Sequence, residues 1–397
     1  MKIGFLTTEY AIGEDIPGGL GYYLRRTSIA LARMGHEIHI LYYTNKKSEV
    51  FVDQKVNIHI INNQRSWLNL IINRITQSKF KRTLDSIERL IRFRRHVNEI
   101  LLEHDLDIIQ SPNYEFPALF ISTDVPIVIR CSSYRPLLNK YDQNKENIDN
   151  FLFGKLEVLQ YRRAAGVFAP SKLLANILQK ELDIKDVKVI QTPFYNEIRQ
   201  FNYQVYEEEL SEVNYLLYFG RLSSLKGVQI LAQALIEVWK EIPNLFAVFV
   251  GPDDRLENNI YMSSCIRNTC IKYLENIKIL SPLPHNKLYP IIKNARLVVL
   301  PTLFDNSPNT MLEAMGFGKV IVGTSGTSMD EFIEDGISGF LVKPGDSKDL
   351  AEKIIDIWSR KDLEMIGRLA EERVRELYPE KVLSGLLEFY NDLIGDS

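Results

Sequence analysis

Apolar and polar positions alternate along the chain in two repeated cycles. "KIGFLTTEY" reads as a strand, leads through "PGGLG", and enters "YYLRRTSIALARM", where apolar positions return at helical spacing until Gly35 ends the helix. "HEIHILYYT", "VNIHII", "DIIQSP", "PIVIRCSS" and "AGVFAPS" are further short apolar runs, most followed by helical or loop segments. Such alternation predicts a parallel sheet with helices on both faces. Between residues 196 and 212, "NEIRQFNYQVYEEELSE" is polar and loses periodicity, which predicts a linker. The cycle then restarts with strand "NYLLYFGRL", helix "KGVQILAQALIEVWKEI" and strands "LFAVFVGP" and "IKILSPL". Helix "HNKLYPIIKNA", strand "RLVVLPTL", helix "NTMLEAMGFG" and strand "KVIVGTS" follow, then helix "MDEFIEDG", strand "GFLVKP" and helix "DSKDLAEKIIDIWSR". The expected class is α/β: two doubly wound Rossmann-like domains, residues 1–195 and 213–375, with an amphipathic helix in 376–397. Ligands of such sheets sit beyond the carboxyl ends of the strands, where strand order reverses. Two such domains facing each other would form a cleft.

Length agrees with this division, since 397 residues exceed one ordinary core. A composition 45% hydrophobic and 25% charged is that of a globular protein, and a net charge of −3 argues against a nucleic-acid partner. Cys131, Cys265 and Cys270 fit neither a disulfide framework nor a metal-ligand spacing, which favours a reducing compartment. The N-terminus reads as a strand and not as a signal peptide, and no run reaches the length needed to cross a bilayer. The expected location is the cytoplasm.

Candidate chemistry concentrates in the second cycle. In "PTLFDNSPNTMLEAM", Asp305 lies just beyond the end of a strand, Pro308 suits a first helical turn, and Glu313 stands one turn into that helix. The N–H groups near Asn309 and Thr310 are a ready phosphate site. A carboxylate so close to phosphate must face something uncharged, so Glu313 suits ribose hydroxyls and Asp305 the hydroxyls of a sugar. The alternative for either acid is a cap or a complement to the helix dipole. Upstream, "YLLYFGRLSSLKGVQIL" ends a strand at Gly220 and supplies Arg221 and Lys226, two cations suited to a diphosphate leaving group; a solvated surface is the alternative for each. In the first cycle Gly18, Gly19 and Gly21 would permit positive φ and a close backbone approach to a ligand, before a helix start whose N–H groups point at the cleft; a flexible turn is the alternative. The spacing fails the dinucleotide fingerprint, so no NAD is expected.

"FGRLSSLKG", "LPTLFDNSPNTMLEAMGFGKVIV" and "SGTSMDEFIEDGISGFLVKPGD" together resemble the family 4 retaining glycosyltransferases, which have the two-domain GT-B fold. The resemblance covers residues 213 to 375, and in the first domain rests on "PGGLGYYLRRTSIALARMGHEI". It implies that Arg221 and Lys226 hold and stabilise the departing donor diphosphate. It also implies that Glu313 holds the ribose and Asp305, where the family usually has Glu, the transferred sugar. Gly19, Gly21, Gly220, Asn309 and Thr310 would line the nucleotide. Where many members carry a His, this chain has Ser132, two residues after Arg130. A hydroxyl is no acid or base near neutral pH, so no catalytic base is assigned, and Arg130, Ser132 and Glu331 are candidate contacts to sugar or acceptor. The implied reaction is retaining transfer of a hexosyl or N-acetylhexosaminyl group from a nucleoside diphosphate, UDP before GDP, to a glycan or lipid-linked acceptor in cell-surface polysaccharide synthesis. Front-face displacement, in which the leaving phosphate takes the acceptor proton, needs no cofactor or metal. The last helix is expected to return to the N-terminal domain. The rival readings are a nucleotide-sugar epimerase of the same fold, for which cleft histidines are too few, and a catalytically silent nucleotide-sugar binder.

Other features point elsewhere. "DLD" at residues 105–107 has a metal-binding spacing but precedes a strand. His36 and His39 are three apart on a predicted strand and face opposite ways, which argues against a shared metal. His285 opens a helix and either frames the base or caps. Residues 65–96 hold nine lysine or arginine residues against Asp85 and Glu88, interleaved with Trp67, Leu68, Ile71 and Ile75. This segment is expected either to meet an anionic membrane on its inner face as a peripheral contact or to pack on its own domain as a solvated helix.

Overall fold

A computed structural model describes residues 1–12, 18–62, 80–135, 148–195, 200–256, 259–306 and 308–395. The chain divides into two compact units, one built from residues up to 193 together with 379–397, the other from 194–378. Each is an α/β sheet protein.

The first unit contains β1 (Lys2–Thr7), α1 (Gly19–Arg33), β2 (Glu37–Thr44), β3 (Glu49–Asp53), β4 (Val56–Asn62), α2 (Lys81–His104), β5 (Ile108–Pro112) and β6 (Ile127–Arg130). It continues with α3 (Ile148–Arg163), β7 (Gly166–Ala169), α4 (Lys172–Leu182) and β8 (Lys188–Val189). Sheet order is β3-β4-β2-β1-β5-β6-β7-β8. All neighbours are parallel except β3, which pairs antiparallel with β4 at the edge. That hairpin departs from the expected all-parallel sheet. Its turn is made by Gln54 and Lys55 at φ 49° and 70°, without the glycine or asparagine that usually marks such a turn. The two sheet faces carry separate apolar layers. One gathers Leu41, Tyr43 and Ile61 under Leu90, Phe93, Val97 and Ile100 of α2. The other joins Phe5, Ile40 and Ile58 to α1 and to a terminal helix, α12 (Pro379–Gly395).

Helix α12 is held by shape and by one buried polar bond. Leu383, Leu386, Phe389 and Tyr390 are buried, and such side chains contribute about 2 kcal/mol each on full burial. A Cβ on Gly166 would stand 2.6 Å from Phe389 Cζ, so the glycine makes room for the ring. The Tyr390 hydroxyl donates to Gln110 Oε1 at 2.6 Å.

The second unit contains α5 (Gln204–Glu209), β9 (Tyr215–Phe219), α6 (Val228–Glu241), β10 (Phe246–Val250), α7 (Met262–Thr269), β11 (Ile277–Leu280), α8 (His285–Asn294) and β12 (Leu297–Val299). After these come α9 (Asn309–Gly316), β13 (Ile321–Thr324), β14 (Phe340–Val342), α10 (Ser347–Trp358) and α11 (Leu363–Arg375). Every residue of β9 is buried, as a parallel strand covered on both faces must be. The sheet is parallel throughout in the order β11-β10-β9-β12-β13-β14. Two local expectations differ. The polar segment 196–212 contains the short α5. "MDEFIEDG" forms only a 3-10 turn, Ser328–Glu331, at whose start the Thr327 side chain accepts from Met329 N–H.

Candidate functional site

Strand order in the second sheet reverses between β9 and β12, so the crevice of the unit lies beyond their carboxyl ends. The loop after β9 carries Gly220, Arg221 and Lys226; the loop after β12 carries Asp305 and leads into α9. Gly220 has φ +128°, and a Cβ there would touch Thr310 Cγ2 at 3.4 Å. Gly227, at φ +69°, caps α6, and its Cβ would fall 1.9 Å from the Pro301 carbonyl oxygen. Only glycine permits that approach. Leu303 N–H and the Thr302 hydroxyl both donate to the Leu225 carbonyl, at 2.9 and 3.3 Å, and so tie the two loops together.

The charges are placed by these loops. Lys226 Nζ and Asp305 Oδ2 form a partly buried ion pair. Asp305 Oδ1 accepts from Asn306 N–H at 2.9 Å, while its carbonyl accepts from Ser328 N–H at 3.3 Å and Ser328 Oγ at 3.0 Å. The turn carrying Glu331 is thereby fastened beside Asp305. Arg221, 60% exposed, pairs with Asp254 at 2.8 Å. Its carbonyl accepts from the buried Tyr218 hydroxyl at 2.7 Å. Burial above all, with the nearby carboxylates of Asp305 and Asp254, holds that hydroxyl far above its ordinary pKa, so it remains a donor.

Helix α9 begins after Pro308, and its first intrahelical bonds run from Met311 and Leu312 N–H to the Pro308 carbonyl. The N–H groups of Asn309 and Thr310 therefore belong to the turn without intrahelical acceptors. One turn on, Glu313 is 3% exposed and faces His285 Nε2 at 3.3 Å. The His285 ring stacks on Tyr289 with centroids 4.9 Å apart. His285 does not cap its helix; Pro284 holds that position.

Gly220, Arg221, Lys226 and Asp305 thus stand on the loops after β9 and β12, with Asn309, Thr310 and Glu313 on the helix that follows and Glu331 on the turn fastened to Asp305. Both cations have acidic partners from distant parts of the chain: Asp254 meets Arg221, and Asp305 meets Lys226. Asp254, Tyr218 and the His285 partnership with Glu313 had no local sequence signal beyond residue type.

The remaining candidates lie in the first unit. Gly19 and Gly21 form the first turn of α1, with Gly18 at its cap. The expected positive φ is not found: Gly18 has φ −70°, and Gly19 and Gly21 are helical. Gly18 serves close packing, since a Cβ would meet Glu9 Oε2 at 2.6 Å. Arg130, a candidate sugar or acceptor contact, is 4% exposed. It donates to Ser132 Oγ at 2.6 Å and Thr192 Oγ1 at 3.0 Å, and lies 3.7 Å over the Tyr23 ring. Ser132 N–H donates to Asn113 Oδ1 at 2.9 Å. Of residues 65–96, positions 65–79 lie outside the described residues. In the rest, Arg82, Arg89 and Arg92 are half-buried, with Arg82 4.0 Å over Phe153, while Lys81, Arg94 and Arg95 are exposed. Among the described residues no helix is long and apolar enough to cross a membrane.

Residues 17–194 match the family described as Glycosyltransferase Family 4, and residues 213–360 match Glycosyl transferases group 1. The chain belongs to this glycosyltransferase family. Among curated relatives of this glycosyltransferase, the capsular polysaccharide biosynthesis glycosyltransferase CapM of Staphylococcus aureus is 26% identical over 196 residues, covering 48% of this chain and 50% of CapM. The chain spans about half the length of the curated relatives it matches. Its GT-B fold is shared with sucrose-phosphate synthase from Thermosynechococcus elongatus, at a TM-score of 0.79 and 16% identity with both chains covered fully. It is shared also with Anabaena Alr3699/HepE, solved with UDP and glucose, at a TM-score of 0.70 and 18% identity over 99% of this chain and 100% of that one.

Proposed function

We propose that this protein is a retaining glycosyltransferase that moves a hexosyl or N-acetylhexosaminyl group from a nucleoside diphosphate, UDP in the first instance, to a glycan or lipid-linked acceptor. The observation that carries the reading is the meeting of Lys226 from the β9 loop with Asp305 from the β12 loop, on the loop that leads into α9. The diphosphate lies at the N–H groups of Asn309 and Thr310 and draws Lys226 from Asp305, leaving that carboxylate for sugar hydroxyls. Glu313, oriented by His285, accepts from the ribose hydroxyls. In transfer the bond between the anomeric carbon and the β-phosphate oxygen breaks, and the acceptor oxygen bonds the same face. The acceptor proton passes to the leaving phosphate. Arg221 and Lys226 stabilise the charge that develops there, and no further base is required. UDP in HepE and capsule synthesis by CapM support the donor class and a role in cell-surface polysaccharide assembly. The exposed Arg94 and Arg95, three and four residues after Ile91, which is 55% exposed, support a peripheral contact with anionic lipid on the inner membrane face.

A panel of nucleoside diphosphate sugars with detection of released nucleotide tests the reading. Slow hydrolysis of one donor, lost at least tenfold in Lys226→Ala and in Arg221→Ala, is the expected result; about tenfold corresponds to roughly 1.4 kcal/mol. Affinity without release from any donor would make the protein a silent binder instead.

A further inference from the structure

Three histidines meet inside the first unit, away from the carboxyl ends of its strands. His39 belongs to β2, His59 to β4, and His104 is the last residue of α2. Leu41 pairs with His59 and His39 with Asn57, so His39 and His59 project from one face as diagonal neighbours. Leu41, Tyr43 and Ile61 continue that face into the apolar layer under α2. The imidazoles close the layer at its end, with His39 and His59 buried at 1% and 6% exposure and His104 partly open. His36 is not among them; its ring lies by the N-terminal amine.

We infer that His39, His59 and His104 form a binding site for one divalent transition-metal ion, zinc in the first instance, that pins the end of α2 to β2 and β4. One nitrogen of each ring lies within 4.8 Å of the others, and His39 Nδ1 stands 3.0 Å from His59 Nε2. Nitrogens bound at about 2.0–2.1 Å in a tetrahedron stand roughly 3.4 Å apart. His39 and His59 are already near that spacing, and His104, at the open side, closes the set by a movement of no more than roughly 1.6 Å. A tetrahedral ion held by three imidazoles would keep its fourth position for water.

The surroundings suit a cation. Glu37 Oε1 lies 2.9 Å from His39 Nε2; by accepting that N–H it leaves the Nδ1 lone pair directed at His59, the carboxylate–histidine–metal arrangement. The C-terminal end of α2 adds a negative dipole end. The opposing charge is Lys2, whose ammonium donates to the His104 carbonyl at 3.1 Å and so stands at the helix end. Glu103, 3.9 Å from His104 Nε2, balances it. Three imidazoles select zinc, nickel, copper or cobalt over magnesium and calcium. The site is independent of the proposed transfer reaction.

The test uses the untagged full chain, stripped with chelator and titrated with Zn2+ against a chromophoric competitor and with Co2+ by visible absorption. One equivalent per chain with Kd below about 1 μM, and Co2+ bands of a low-coordinate nitrogen site, are the expected results. His104→Gln, at the open edge, and His59→Gln should each weaken Zn2+ by at least about 100-fold and abolish the bands. Glu37→Gln should weaken it about 10–100-fold, and His96→Gln on the exposed face of α2 should change nothing. Absence of stoichiometric Zn2+ binding by the wild-type chain overturns the inference. So does equal binding by a His104→Gln chain whose circular dichroism matches wild type, which makes the result independent of whether His59→Gln folds.

Discussion

Replacing Gly227 by Ala should damage both the stability and the ligand crevice of the second unit. The residue sits at φ +69°, which costs an alanine about 1 kcal/mol. Its Cβ would stand 1.9 Å from the Pro301 carbonyl oxygen, where real Cβ atoms essentially never come closer than 3.0 Å, so the two loops must part by at least 1.1 Å. That separation breaks the bond from Leu303 N–H to the Leu225 carbonyl. At about 1 kcal/mol, this brings the total to about 2 kcal/mol. For a unit of this size the thermal midpoint then falls by roughly 4–8 °C. Lys226, the residue before Gly227, is displaced from the crevice in the same step, so UDP affinity should drop by at least about tenfold, or roughly 1.4 kcal/mol. Thermal unfolding followed by circular dichroism, with calorimetric titration of UDP, reads both effects. Gly154→Ala is the control, since that helical glycine has nothing within 4 Å of an added Cβ and should be neutral or stabilising. A midpoint within 2 °C of wild type, together with unchanged UDP binding, would refute the claim that this glycine holds the loops together.

Glu313→Gln should weaken UDP about tenfold while leaving inorganic pyrophosphate unaffected, because the carboxylate is assigned to ribose; equal loss for both, by competition calorimetry, counts against that role. His285→Ala leaves the buried Glu313 without its ring partner and should cost about 2 kcal/mol in urea unfolding. Arg130→Lys keeps the charge but loses the planar fork and the Tyr23 stacking, so about 2 kcal/mol of stability should go with UDP binding intact. The full chain should bind anionic liposomes reversibly and release with salt, less so after Arg94→Glu with Arg95→Glu; equal binding to neutral liposomes, or none, removes the membrane contact.

Local pattern determined much of this protein. Apolar runs at period 3.6 and short buried runs between turn residues mark β1, β2, β9, β12, α1 and α6, because those elements bury one stripe or both faces and the period follows from their geometry. The positions of Gly220, Lys226, Asp305 and Glu313 relative to strand ends were legible for the same reason, and the family resemblance gave them roles. Tertiary structure decided what meets what. Lys226 and Asp305, 79 residues apart, pair only because β9 and β12 are neighbours in the sheet, and strand order is not written in any local window. Asp254 reaches Arg221 through the parallel bridge between Leu222 and Asp253. The β3 hairpin turns on residues with no turn signature, and "MDEFIEDG" has helical residues but forms only a 3-10 turn. Likewise His39 was read against His36, its neighbour in sequence, whereas register and helix packing bring it to His59 and His104. Periodicity reports which way a side chain faces its own element; only the packed chain supplies the partner on the other side.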